Sequence, residues 1–385
     1  MNIPKDYEEL DELRLTRYLY IYDETVYSFI TELLRRSNID TCYYLISEIY
    51  ETNPDVIFHL LWKIYFDFYA EHYPSLETCL SNKHRMWSES NSIRPVIFVV
   101  KNMFALEASS TVFHLRQFVE NGGKCMCLYR LSEKKLLKHN WTKHPKLVCR
   151  LFVALERGHI QNAGCYIYKL LETLSSEEIY FKLIEYFSKY IDLKNSATIR
   201  KRWDKRIWCN DKHMLLAFIV SMTTPTENIH GRLIFKQPCE EEYNFVEKIS
   251  CVDQLLPYRI LQKKRRNIIV PEIGAFQLAR EGVDNYFAAI RDNWEFYAIR
   301  SVIWKQRFQR FGGYVKGNKV VFVTEENEDK FYTYFGYELD EQALCVQKLG
   351  YATESKTRMS WCDWHAAIFE TMPRIILKEN FKYKW

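Results

Sequence analysis

The stretch Phe29–Tyr69, FITELLRRSNIDTCYYLISEIYETNPDVIFHLLWKIYFDFY, decides the fold. It reads as two helices joined by a short turn, Asn53-Pro54-Asp55, where Pro and Asp supply stop-and-restart signals. A degenerate copy returns at Phe152–Tyr190. Leu34-Arg35-Arg36-Ser37-Asn38-Ile39 faces Leu155-Glu156-Arg157-Gly158-His159-Ile160. Ile46-Ser47-Glu48-Ile49-Tyr50-Glu51-Thr52 faces Ile167-Tyr168-Lys169-Leu170-Leu171-Glu172-Thr173. After one length adjustment, Ile57-Phe58-His59-Leu60-Leu61-Trp62 faces Ile179-Tyr180-Phe181-Lys182-Leu183-Ile184.

Weaker echoes start near residues 95 and 211, so the period is about 60 residues, longer than the common helical repeats. The spacing predicts a mostly α protein: an irregular helical-repeat, α-solenoid-like array over 1–225. A smaller α+β module containing a β-hairpin follows over 226–385, with the boundary near 225–232.

Outward from the repeat, residues 5–35 carry helical spacing. Asp40-Thr41 is read as the cap of a helix Cys42–Tyr50, and Val56–His72 as a buried helix ended by Tyr73-Pro74. Residues 75–94 read as a connection, and Pro95–Phe104 as a helix. Ser109-Ser110-Thr111 caps Val112–Val119, and Asn121-Gly122-Gly123 is a break. Leu233-Ile234-Phe235 reads as a short strand interrupted by Cys239-Glu240-Glu241-Glu242. One long helix is expected over Val283–Phe311. Tyr314–Val323 reads as a hairpin, with Gly317-Asn318 supplying the positive backbone angles of a tight turn, and Glu325–Tyr334 as a short helix.

Composition fits a globular chain: 385 residues, 48% hydrophobic and 27% charged, with an aromatic share of 16% carried by 27 Tyr and 24 Phe. A net charge of +5 is too mild to identify a nucleic-acid binder, so only its distribution is informative. Met1–Glu9 turns acidic where the apolar core of a signal peptide would begin, and no apolar run reaches the length of a membrane span. An intracellular protein is therefore expected, and its 11 scattered cysteines are read as reduced thiols.

The motifs of nucleotide and hydrolase chemistry, GxGxxG, GxxxxGK, GxSxG and HExxH, do not occur. Cys125-Met126-Cys127 with His139 and His144 is the nearest approach to a zinc set, and buried thiols with surface histidines explain it better. Asp340-Glu341 and Trp361-Cys362-Asp363-Trp364-His365 look catalytic only by adjacency, whereas catalytic triads assemble in space. No enzyme, metal or cofactor is expected.

The functional signal is basic residues interleaved with aromatics. It is densest at Arg200, Lys201, Arg202, Trp203, Lys205 and Arg206, ending at Trp208. Lys134–Lys143 with Trp141 is similar, as is Lys263, Lys264, Arg265 and Arg266. Arg300, Lys305, Arg307 and Arg310 accompany Trp304. Lysine and arginine neutralise phosphates, and aromatic faces stack on unpaired bases.

Asn38–Tyr50 with Leu61-Trp62-Lys63-Ile64-Tyr65, and Phe335-Gly336-Tyr337-Glu338-Leu339-Asp340-Glu341-Gln342, resemble uncharacterised proteins of large nucleocytoplasmic DNA viruses. The resemblance touches about a fifth of the chain. It implies a viral protein acting in an infected cell, and it hands over no site residues; the expected location is the host cytoplasm or the virion, with Gln262–Arg266 offering a nuclear-localisation stretch. The leading expectation is a non-enzymatic scaffold that binds a partner protein. The alternative is a nucleic-acid-binding accessory factor in viral replication or transcription.

Overall fold

A computed structural model describes residues 14–17, 22–120, 123, 144–188, 211–224, 233–250 and 293–335. Among them the chain is mostly helical, with one small antiparallel hairpin. The helices are α1 (Tyr22–Arg35), α2 (Ile39–Thr52), α3 (Ile57–Phe68), α4 (Pro74–Ser90), α5 (Arg94–Phe104), α6 (Thr111–Glu120) and α7 (Pro145–Glu156). They continue with α8 (Ile160–Leu171), α9 (Ser176–Ser188), α10 (Asp211–Thr223), α11 (Glu240–Ser250), α12 (Val302–Arg310) and α13 (Glu325–Phe335). The strands are β1 (Gly313–Lys316) and β2 (Lys319–Phe322).

The chain forms two compact units, each assembled from separate segments. The first takes Met1–Leu60, Trp87–Ala105 and Lys236–Glu370; the second takes Leu61–Met86, Leu106–Phe235 and Thr371–Trp385. The expected boundary at 225–232 lies outside the described residues.

In the first unit α2 is the central helix and packs against α1, α5, α11 and α12. Its buried positions run without a gap from Cys42 to Ile49, so it has no continuous polar face. Asn38 caps it, its side chain accepting from the Asp40 and Thr41 amides at 2.9 and 3.2 Å. The cap is therefore Asn38 rather than Asp40, and the helix starts three residues earlier than Cys42.

Two expected helices are cut short here by tryptophan burial. Residues 14–17 are not helical: the Thr16 carbonyl, which a helix would use internally, accepts from Trp304 Nε1 at 2.8 Å. The long helix ending at Phe311 is broken between a helical turn at 293–298 and α12, where Ser301 is extended (φ −88°, ψ 150°) and donates to the Ala298 carbonyl. The break sets Trp294 edge-on to Trp304, with ring centroids 5.2 Å apart and both rings buried.

In the second unit α10 packs against α6, α8 and α9 and is apolar on all sides. Gly164 of α8 permits that crossing: a Cβ there would lie 3.1 Å from Leu115 and Val119 and 3.3 Å from Leu216. The connection expected over 75–94 is largely a helix, α4. Its polar composition hides an apolar stripe of Leu76, Leu80 and His84 at four-residue spacing, with Cys79 beside it. Trp62 Nε1 donates to His84 Nδ1 at 3.2 Å. Leu233-Ile234-Phe235 is not a strand, and Ile234 is 93% exposed. In the first unit, Cys239–Glu242 begins α11, with the Glu242 carboxylate accepting from the Cys239 amide at 2.8 Å.

The repeat has local counterparts. α1 ends at Arg35 and α2 starts at Ile39; α7 ends at Glu156 and α8 starts at Ile160. The aligned residues thus bound equal three-residue links. Each link holds one left-handed residue, Arg36 (φ 55°) in the first and Gly158 (φ 70°) in the second.

The hairpin confirms the sequence reading. Tyr314 pairs with Val321, Val315 with Val320, and Lys316 with Lys319. Only Gly317 of the two loop residues has positive φ, 63°, the pattern of a type II′ turn.

Candidate interaction surface

The buried charges of the helices are committed to one another. In the first unit, Glu48 sits mid-helix on α2, fully buried, and its Oε1 accepts from Arg17 Nε and Nη2 at 3.0 and 2.8 Å. Its Oε2 has no partner among the described residues, and burial outweighs Arg17 to push the carboxyl pKa up. Arg307 lies over the Trp304 and Phe335 rings at 4.7 and 5.1 Å and donates to the Arg17 carbonyl at 3.2 Å. Glu242 joins three helices: it accepts from Tyr43 of α2 at 2.8 Å, Lys101 of α5 at 2.5 Å and its own helix start. Burial opposes its charge, but these donors prevail and lower its pKa to about 2.

In the second unit, Asp67 of α3 takes both forks of Arg116 of α6, at 3.1 and 2.8 Å. The remaining fork reaches Glu120 at 2.7 Å, and Glu120 accepts from Tyr168 of α8 at 2.7 Å. Glu71 accepts from Ser109 and from Thr224, the latter at 3.2 Å. His213 of α10 is fully buried, and neither ring nitrogen has a partner among the described residues. Burial first, then Arg116, Lys63 and Lys212, drive its pKa well below the ordinary value, so it is neutral. The paired carboxylates and arginines bind helices together.

The hairpin and its flanking helix are different. Of the six exposed large hydrophobic side chains among the described residues, four lie here: Tyr314, Val315, Val323 and Tyr334. Strand alternation sorts them. The inner face is Gly313, Val315, Val320 and Phe322; Phe322 packs against Phe308, Phe331 and Tyr332, whereas Val315, next to the turn, is left 47% exposed. The outer face carries Tyr314 and Lys316 opposite Val321 and Lys319, with Val323 continuing the row past β2. Tyr314 is 49% exposed and Val323 68%. Lys316 and Lys319 are directly opposed, and like charges in that position repel. Neither has a carboxylate partner among the described residues. Just beyond Val323, α13 opens with exposed Glu325, Glu326 and Glu328. Glu326 is paired with Lys330 of the same helix at 2.5 Å. On α13, the exposed Tyr334 ring is covered by Arg310 at 4.7 Å and packs against Phe311.

No family model, curated protein or solved structure matches the chain.

The residues expected to contact nucleic acid, Arg200, Lys201, Arg202, Trp203, Lys205, Arg206, Lys263, Lys264, Arg265 and Arg266, lie outside the described residues. So do Trp141, Cys125, Cys127, His139, Asp340, Glu341 and Trp361–His365. His144 is described: it is exposed, has φ 50° and precedes α7. Trp304 and Arg307 are packing residues, and of the described cations on the expected long helix only Lys305 and Arg310 are exposed. No group of three or more His, Cys, Asp or Glu placed to hold a metal occurs among the described residues. Among them, too, no helix is long and apolar enough to cross a membrane.

The buried set Arg17, Glu48, Asp67, Arg116 and His213 escaped sequence reading. Its signal was a charged residue on an apolar helical face, as with Glu48 between Ile46 and Ile49. The outer face of the hairpin is legible as alternation, but alternation alone does not say which face is exposed.

Proposed function

We propose that this chain is a non-enzymatic scaffold or adaptor, acting in a virus-infected cell, that binds a partner protein through the outer face of its hairpin. The observation that carries this reading is that Tyr314 and Val323 stand exposed along the outer face of the hairpin, on a small folded module whose helix α13 also exposes Tyr334. Soluble surfaces scatter such residues singly, and grouped ones mark contact sites. Tyrosine and arginine, here Tyr314, Tyr334 and Arg310, are also the types that dominate interface energetics. The test is capture of partners by the full chain against the variant Tyr314→Ala/Val323→Ser/Tyr334→Ala. The reading expects the variant to keep its far-ultraviolet circular dichroism and lose the captured partner. Equal capture by both proteins would remove it.

The second reading is a nucleic-acid-binding accessory factor in viral replication or transcription. It rests on Arg200–Arg206 and Lys263–Arg266, whose charge and aromatic interleaving suit phosphates and bases. It expects salt-sensitive retardation of single-stranded or duplex nucleic acid, weakened by neutralising Arg200, Lys201, Arg202, Lys205 and Arg206. No retardation at low salt would eliminate it.

A further inference from the structure

We infer that the seat between α2 and α12 that holds residues 14–17 is a receptor site for a non-helical peptide carrying an apolar residue and, two positions on, an arginine. The chain's own Leu15-Thr16-Arg17 fills it in cis, and a partner's segment of the same pattern displaces that occupant. The inference lies wholly within the first unit and does not depend on the hairpin.

The seat holds this segment as a receptor holds a ligand. Its main chain is gripped by side chains of a distant helix: Trp304 Nε1 of α12 donates to the Thr16 carbonyl at 2.8 Å, and Arg307 of the same helix donates to the Arg17 carbonyl at 3.2 Å. Main-chain hydrogen bonds give affinity for any peptide, whereas side-chain pockets supply the choice. Two side chains are chosen here. Leu15 is completely buried, and the Arg17 guanidinium is received by Glu48 from the middle of α2.

The receptor is built for a better fit than its present occupant makes. Arg17 places both Nε and Nη2 on one oxygen, Oε1. Oε2 is buried and has no partner among the described residues. An arginine set square to the carboxylate gives one N–H to each oxygen, the strongest arrangement for this pair. A buried acceptor left unmade carries the cost of its lost hydration. The Tyr22 amide, donating to the Arg14 carbonyl at 2.9 Å, ties the segment to the start of α1. A separate peptide has no such tie and can settle its arginine across both oxygens.

The occupant also has an alternative state. Residues 5–35 carry apolar residues at helical spacing, and the seat holds 14–17 against that preference. A local preference overridden by long-range contacts is the mark of a segment under conflict. Outside the seat, the Thr16 carbonyl can enter an intrahelical bond instead of the bond from Trp304.

The test uses the full chain and a fluorescein-labelled synthetic peptide with the sequence of residues 12–19. Leu15→Ser/Arg17→Ala weakens the occupant and is expected to bind the peptide about tenfold more tightly than wild type, because only the vacated fraction of seats counts. The peptide carrying R17A is expected to bind neither protein. Adding Glu48→Gln to the double variant is expected to abolish the gain. Circular dichroism establishes that each variant is folded. A second measurement needs only one mild substitution: the thiol of Leu15→Cys is labelled when the segment leaves, and Cys42, fully buried on α2, reports global opening. Excess peptide is expected to accelerate labelling at position 15 and not at Cys42. Equal binding of the two peptides overturns the inference. Labelling at position 15 that stays in step with Cys42, with or without peptide, overturns it equally, because the segment is then part of the core.

Discussion

Arg116 and Lys316 carry the same charge in opposite settings. Arg116 is fully buried and spends its three nitrogens on Asp67 and Glu120. Lys316 is exposed, faces another lysine and has no carboxylate within its own fold among the described residues. A charge tied on every side is an element of construction, whereas one left open beside exposed tyrosine and valine is available for contact. The difference separates what holds this protein from what it offers.

That separation makes stability and association respond to different substitutions. The largest loss of stability is expected at the buried fork. Asp67→Ala leaves Arg116 buried without its main counter-charge, and breaking such a pair costs about 3–5 kcal/mol. Denaturant titration followed through the helical signal would measure it, and a loss below about 1 kcal/mol would mean the fork does not hold α3 to α6.

A smaller, pH-dependent effect is expected at His213. Its pKa is depressed in the folded protein, so the unfolded chain binds the proton first. Stability of the second unit is therefore lost as pH falls below about 6.5, at up to about 1.4 kcal/mol per pH unit. Glu48, in the first unit, has the opposite sign. Its folded pKa is raised, so its contribution is present in acid and is lost as pH rises through that raised value. Between pH 7 and 5 (above the range where Glu71 and Glu242, both with lowered pKa, take up protons), amide protection, corrected for the pH dependence of intrinsic exchange, should fall in α10 and not in α2. His213→Leu should flatten the α10 response. An equal fall in both helices would assign the acid sensitivity elsewhere.

The part of the fold legible in the sequence is the part fixed by local rules. The Gly317-Asn318 loop needs a positive φ at its first position, and glycine supplies it. Links such as Arg36–Asn38 are marked by a cap residue before an apolar run. What was missed required knowledge of long-range partners. The broken helix before Phe311 carries good helical spacing, but burial of Trp294 against Trp304 overrides it. Residues 14–17 lose helicity for the same reason, because Trp304 takes the Thr16 carbonyl. α4 was hidden by its serines and charges, since only the single stripe from Leu76 to His84 is buried. The candidate surface was half legible: strand alternation places Tyr314 and Lys316 on one face. Nothing local says which face the core of Phe308, Phe322 and Phe331 covers. The basic–aromatic signal at Trp304 misled because an arginine over a buried indole looks, in sequence, like one beside an exposed ring.

The smallest expected effect on stability is at the hairpin, and it carries the functional claim. The most direct measurement is made on one protein, Lys316→Glu/Lys319→Glu: its denaturation midpoint together with its binding of partners. Exposed substitutions away from special features change stability by about 0.5 kcal/mol or less. The account predicts a midpoint indistinguishable from wild type and a loss of association. A midpoint lowered as far as by Asp67→Ala, or association retained at wild-type strength, would contradict it.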